Sequence, residues 1–197
     1  EIADFENWRA VAEDAAKVLK AGEVVALPTE TVYGLGADAF NAEAVAKVFE
    51  AKGRPSFDPL IVHIAGIRDL QRVAVVSEEL EGVVRQLAKA FWPGPLTMVL
   101  PKHEDIPDLV TSGLPTVAVR VSKHEVMRLL TKDLGPIAAP SANRFGRISP
   151  TSASAVLDEL KGSIPLIVDG GACSNGLEST IIAVEVGEKR PVLRLLR

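Results

Sequence analysis

One cysteine, Cys173, stands in a chain of 197 residues, so no internal disulfide can form and the fold must be held by its core. A lone thiol of this kind fits a reducing compartment, and a cytoplasmic location is expected. Aromatic residues make up only 5% of the chain, too few for the stacking surfaces of a dedicated RNA binder. A positive excess is missing as well. There are 22 basic and 26 acidic side chains, a formal charge of −4, which argues against broad nucleic-acid binding while leaving room for a local basic cleft. No apolar run approaches the roughly 20 residues of a membrane span, so no membrane role is expected. The opening EIADFENWRA is polar and acidic, unlike a signal peptide, and the missing initial Met points to processing, trimming or excision.

Several familiar chemical signatures are also lacking. There is no GxxxxGK[ST] phosphate loop, and Gly34-Leu35-Gly36 lacks the third glycine of a dinucleotide fingerprint. His63, His103 and His124 are scattered without metal-ligand spacing, and no metal-ligating set is expected. GxSxG is absent, and Cys173 has no histidine close in sequence. Hydrolase triads, zinc catalysis and Rossmann redox chemistry are therefore disfavoured.

What is present is enough apolar material, 47%, for a substantial core. A chain of this size buries roughly 70% of its extended surface, and one domain over 1–197 is expected. Trp8, Val11, Ala15, Val18 and Leu19 share a helical face that Gly22 should end. Glu23 to Leu27 reads as a strand stopped by Pro28, and TETVYGLGA as a bend. Asn41 should cap a helix carrying Val45, Val48 and Phe49, which ends near Lys52-Gly53 because Arg54 precedes proline. Strands are expected over 60–64, 96–100, 116–121, 137–139, 164–168, 180–186 and 192–196. Helices are expected from Ser77 to about Phe91, over 125–131 and from Ser149-Pro150-Thr151, with a loop over 102–113. Such interleaving predicts an α/β domain, and the two closing strands without an intervening helix make its sheet mixed.

In open α/β sheets ligands gather at strand ends, and the candidate polar residues lie there. Lys52 and Arg54 flank Gly53; together they offer a point charge and a rigid donor fork for phosphate, or form a solvated basic turn. Ser141 and Asn143 in APSAN either bind a nucleotide or metal-bound water, or make an ordinary turn. Thr29-Glu30-Thr31 with Tyr33 is either a capped turn or a small polar pocket. Arg120, ending TVAV, could hold a carboxylate or face solvent. Ser179 contacts ligand or caps its loop, and His63 within LIVHI is by default a satisfied half-buried histidine.

In order along the chain, PTETVYGLGADA, KGRP with PLIVHI, FWPGPLT, TVAVR, PSAN with SPT, and LESTI resemble the YrdC-like family of threonylcarbamoyl-adenylate synthases, from Pro28 to Arg194. The resemblance implies an open twisted sheet flanked by helices around a wide cleft. It implies that L-threonine, bicarbonate or CO2, and ATP with Mg2+ give threonylcarbamoyl-adenylate and pyrophosphate. Partner proteins would pass the group to the adenosine beside the anticodon of tRNA. Lys52 and Arg54 match the family's K-x-R and Ser141 and Asn143 its S-x-N, the four expected to converge on ATP and carry catalysis. Thr31, His63, Arg120 and Ser179 resemble threonine-pocket positions, with Arg120 for the carboxylate. Asp58, Thr116, Ser149 and Arg194 resemble positions near ATP. Longer members add a linker and a second domain that closes the cleft. This chain ends at Leu195-Leu196-Arg197 without the Pro-Gly often found after the position of Arg194, which reads as a short form or an excised domain. Two alternatives stand beside this reading: a carbamoyl-adenylate domain with another acceptor, as in hydrogenase-maturation carbamoyltransferases, and a non-catalytic RNA-binding module.

Overall fold

The first helix, α1 (Phe5–Lys20), buries Ala12, Ala15 and Leu19, with Trp8, Val11 and Val18 packed at the margin of the same cluster. Gly22, at φ +74°, turns the chain out of it. This computed structural model describes residues 5–55 and 57–197, so the first four residues of the polar opening lie outside the described residues. Strand β1 (Val25–Leu27) stops at Pro28 as expected.

The next segment departs from the sequence reading. Only its first part bends, whereas β2 (Gly34–Asp38) runs antiparallel to β1 with Val25 opposite Gly36. Glycine is placed here for close approach, not for a turn. A Cβ on Gly36 would meet Leu27 Cδ1 at 2.8 Å and Ile137 Cγ2 at 3.1 Å.

Helix α2 (Ala42–Lys52) is capped by Asn41, whose side chain accepts from the Glu43 and Ala44 amides at 3.1 Å each. Left-handed Gly53 ends it. Then come β3 (Ile61–His63), a 3₁₀ turn over Ile67–Arg72, α3 (Glu78–Phe91) and β4 (Leu96–Pro101). Ser77 stands at the N-cap of α3, though its hydroxyl makes no capping bond. The segment expected to be loop holds one short helix, α4 (Asp108–Thr111). β5 (Thr116–Arg120), α5 (Glu125–Leu134) and β6 (Ile137–Ala138) follow. Helix α6 (Ala153–Leu160) starts later than Ser149 because the Pro150 carbonyl is taken by the Tyr33 amide at 2.9 Å; Ser152 is the cap, bonding Ala155 N. β7 (Leu166–Ile167), β8 (Thr180–Glu185) and β9 (Val192–Leu195) complete the chain.

Among the described residues, nine strands form one open mixed sheet in the order β7-β1-β2-β6-β3-β5-β4-β8-β9. β7–β1, β3–β5 and β4–β8 are parallel and the other neighbours antiparallel. Helices α1 and α5 pack with Val25, Leu27 and Ile137, while α2 and α3 join the larger cluster formed with Val62, Met98 and Val119. No helix among the described residues is long and apolar enough to cross a membrane.

Register decides where a site can lie. His63 pairs with Arg120, Arg120 with Thr97, and Thr97 with Ile181, so these four form one row across β3, β5, β4 and β8. Ile61, Ala118, Val99 and Ala183 form the next row on the same face. The opposite face carries the buried Val62, Val119 and Met98.

The cap that fixes α2 also fixes the position of Lys52 at its far end. Asn41→Ala should destabilise the protein by about 1 kcal/mol. Urea unfolding would measure it, and an unchanged midpoint would show that the two amides find other partners.

Candidate functional site

His63, Arg120 and Ile181 of the first row, with the whole row behind it, floor an open cavity of about 620 Å³. The β1–β2 link, the α2–β3 link, the turn after β6, the loop before β8 and the end of the chain form its walls. Small floor residues, Ala118 and Ala183, leave the volume that larger side chains would fill.

At one end sits a buried ion pair. Arg120 Nη2 donates to Glu30 Oε1 at 2.6 Å, its Nη1 to Thr31 Oγ1 at 2.8 Å and its Nε to the Gly94 carbonyl at 3.2 Å. Glu30 Oε2 accepts from Ser122 Oγ at 2.5 Å and the Lys123 amide at 3.0 Å. Burial pushes the Glu30 carboxyl up, but the Arg120 charge and the bonds from Ser122 and Arg120 outweigh it and hold it below its ordinary value. Arg120 has spent three of its five N–H donors, and two are left for an anion.

The hydroxyls beside it have a fixed direction. Thr29 Oγ1 lies 2.6 Å from the Val32 carbonyl, which can only accept, so Thr29 donates there. Thr31 must then donate to Thr29 across 2.9 Å while accepting from Arg120. The remaining lone pair of Thr31 can only accept, which suits an amine or hydroxyl donor. His63 is buried with Nδ1 unpaired. Burial, then the Arg120 charge, push its ring down to about 3 against the pull of Glu30, so it is neutral at pH 7. Ser179 Oγ is 2.8 Å from Thr97 Oγ1 in the same corner.

The other end holds the remaining candidates. Arg54 reaches the cavity with its guanidinium braced by Asp58 Oδ2 at 2.8 Å and by the Asp58 and Pro59 carbonyls at 3.1 Å each. Thr116 and Ser141 line the same space, as does Arg194, whose guanidinium pairs with Glu185.

Three predicted residues are not among the lining. Lys52 is buried behind it and donates to the Ser141 carbonyl and, at 2.5 Å, to the Asn143 carbonyl. Burial, reinforced by the Arg54 charge, pushes its amine down to about 7, against the pull of Asp58, Glu178 and Glu159. Asn143 is also buried; its Nδ2 donates to the Arg144 and Arg147 carbonyls at 2.8 and 2.9 Å, which fixes the amide orientation and leaves Oδ1 unpaired. Ser149 donates to Glu178 at 2.6 Å and so touches the lining through that carboxylate. Lys52 and Asn143 thus shape the turn that presents Ser141.

Three site residues were not singled out in the sequence, Thr97, Glu178 and Arg197, whereas Glu30 was named with Thr29 and Thr31. Glu178 stood beside a named residue in LEST; Thr97 needed the register, and Arg197 the fold-back of the last residues along β8.

The model of the Sua5/YciO/YrdC family, described as telomere recombination, matches residues 17–195. The threonylcarbamoyl-AMP synthase of Pyrococcus abyssi is 49% identical over 190 residues, 96% of this chain and 54% of that protein. The threonylcarbamoyl-AMP synthase of Bacillus subtilis is 51% identical over 171 residues, 86% of this chain and 49% of that protein. The crystal structure of P. abyssi Sua5 complexed with L-threonine superposes with a TM-score of 0.85 at 48% identity, covering 94% of this chain and 53% of that one. The chain belongs to the Sua5/YciO/YrdC family. It spans about half the length of these relatives. All twelve residues expected from the family resemblance, from Thr31 to Arg194, fall inside the matched segment.

Two outcomes follow for a Sua5/YciO/YrdC chain built this way. Glu30→Ala leaves Arg120 buried and uncompensated and should cost about 3–5 kcal/mol, whereas the double change with Arg120→Met should cost less than the sum. Additive losses in denaturant unfolding would refute the coupling. For Lys52 the folded-state value, about 7, lies below its ordinary 10.5, so the unfolded chain holds more protons between these limits. Stability should therefore rise with pH from 7 toward 10 in the wild type but not in Lys52→Met. Parallel unfolding profiles of the two proteins would contradict this assignment.

Proposed function

We propose that this chain, read as one domain over 1–197, forms threonylcarbamoyl-adenylate and pyrophosphate from L-threonine, bicarbonate or CO2, and ATP. One observation carries the proposal: a carboxylate-binding arginine with an oriented acceptor hydroxyl shares a single cavity with a braced phosphate-type arginine and Ser141. The relatives' synthase names and the threonine complex of P. abyssi Sua5 support the same reading.

The residues suggest the order of events. Arg120 offers two N–H groups to the threonine carboxylate, and Thr31 accepts from its amine or hydroxyl. The free amine adds to CO2, a proton leaves, and a carbamate forms. A carbamate oxygen then attacks the α-phosphorus of ATP, the bond to the β-phosphate oxygen breaks, and pyrophosphate departs. Arg54, with Ser141, Thr116 and Arg194, would meet the phosphates as charge builds on them. Lys52 and Asn143 contribute by holding the 141–147 turn.

Magnesium belongs to the nucleotide in this scheme. Asp58 supplies hard carboxylate oxygens at the cavity, close to Arg54. That fits an ion held by phosphates and one or two carboxylates. A transferase partner would then carry the group to tRNA in the cytoplasm.

An RNA-binding groove fits less well. The four guanidiniums at the cavity, Arg54, Arg120, Arg194 and Arg197, each pair with a carboxylate, leaving no unbalanced positive stripe.

Pyrophosphate release by the purified chain should depend on both L-threonine and bicarbonate. Valine should be rejected strongly and serine only modestly, because losing one methyl discriminates weakly. Arg54→Ala should lower turnover about 10²–10³-fold at saturating threonine, and Arg120→Lys should chiefly raise the threonine KM. Release without threonine dependence, or wild-type turnover in Arg54→Ala, would overturn the proposal.

A further inference from the structure

The LEST stretch supplies a carboxylate that the reaction scheme does not use. Glu178 lines the same cavity as Arg54 and Ser141. One of its oxygens accepts from Ser149 Oγ at 2.6 Å, and the other from the Arg197 guanidinium. Arg197 in turn donates to the Ser179 carbonyl at 3.1 Å and to Ser179 Oγ at 3.3 Å. The negative charge of Glu178 also favours the protonated forms of Lys52 and Arg54, the two cations of KGR. Asp58 differs from it: it serves Arg54 within one short turn, whereas Glu178 joins the Ser149 segment to the end of the chain.

We propose that Glu178 is an internal anion seated among the groups that receive the nucleotide's phosphates, and that it gives up its partners when a polyphosphate enters. The inference rests on the ATP reading above. A carboxylate and a phosphate present the same face to an arginine, two oxygens accepting parallel N–H bonds, so one can stand in for the other. Partly buried cations need a counter-charge, and Glu178 provides one in the ligand-free protein. A polyphosphate brings more charge to the same donors and displaces it. The side chain is 36% exposed, so it can turn into water at little desolvation cost. Its departure frees Ser149 and Arg197 together and loosens the loop that carries Ser179. Phosphate binding at one end of the cavity is thereby linked to the hydroxyl that faces the other end.

Glu178→Gln keeps the size of the side chain and one acceptor oxygen for Arg197, lets the amide N–H donate to Ser149 Oγ, and removes the charge. The experiment is calorimetric titration of wild type and Glu178→Gln with magnesium-free inorganic pyrophosphate at low and moderate salt. L-threonine titration and thermal unfolding report whether the variant is intact. The variant should bind pyrophosphate about tenfold more tightly at low salt. The gain should shrink as salt screens the charges, in a variant that still binds threonine and unfolds cooperatively. Equal or weaker pyrophosphate binding by a variant that still binds threonine would overturn the role of Glu178 alone. Failure of the wild type to bind either pyrophosphate or ATP would overturn the ATP reading and this inference with it.

Discussion

The buried pair of Arg120 and Glu30 is the contact on which the cavity's geometry depends. It joins the end of β5 to the β1–β2 link, and its hydrogen bonds draw in Gly94 before β4 and Ser122-Lys123 before α5. The Glu30 carbonyl adds the Asn175 amide at 2.8 Å, from the loop ahead of β8. Such a pair gives little net stability, because the desolvation of two charges offsets most of their attraction. What it supplies is position: an arginine clamped at three of its donors holds the other two in place, and the side-chain entropy of binding has been spent during folding. The same clamp sets the proton direction through Thr31 and Thr29.

The sequence made the elements legible where local chemistry decides. Asn41 and Gly53 bracket α2 because a side-chain cap and a left-handed glycine are written in neighbouring residues. The apolar runs gave the sheet strands, and their interleaving gave an open mixed sheet. Legibility failed where a residue's reason lies far away in the chain. Gly34 and Gly36 look like turn residues, yet side chains of β1, of β6 and of Ala139 just after β6 come within 3.2 Å of where a Cβ would stand. Ser149-Pro150-Thr151 looks like a helix start, yet Pro150 gives its carbonyl to Tyr33.

The site shows the same division. Residue types at strand ends named Arg54, Arg120, Thr31 and Ser141, and all of them line one cavity. Their pairing could not be read, because strand order is a long-range property: His63 and Arg120 become neighbours only through the parallel β3–β5 register. Lys52 is the clearest instance. In sequence it is one of two equivalent cations, but it occupies the inner face of α2 with Val48 and Phe49, while Gly53 redirects the chain before Arg54. One cation is thereby buried to hold a loop, and the other is left at the cavity.

Charge balance ties these features together. Each guanidinium that lines the cavity has a carboxylate partner, Arg54 with Asp58, Arg120 with Glu30, Arg194 with Glu185 and Arg197 with Glu178. A cavity balanced in this way exerts little long-range pull on a polyanion such as RNA, yet keeps strong short-range donors for an anion that fits. Selectivity then depends on which pairs open. Glu30 is buried and held by three donors, so Arg120 keeps its partner and binds with the donors it has left. Asp58, Glu178 and Glu185 are each partly in water, so theirs are the pairs a competing anion can replace, and of these carboxylates Glu178 alone joins the Ser149 segment to Arg197. Burial alone therefore separates a permanent partner from an exchangeable one. On the proposed function, the fixed end suits a small carboxylate and the yielding end a polyphosphate.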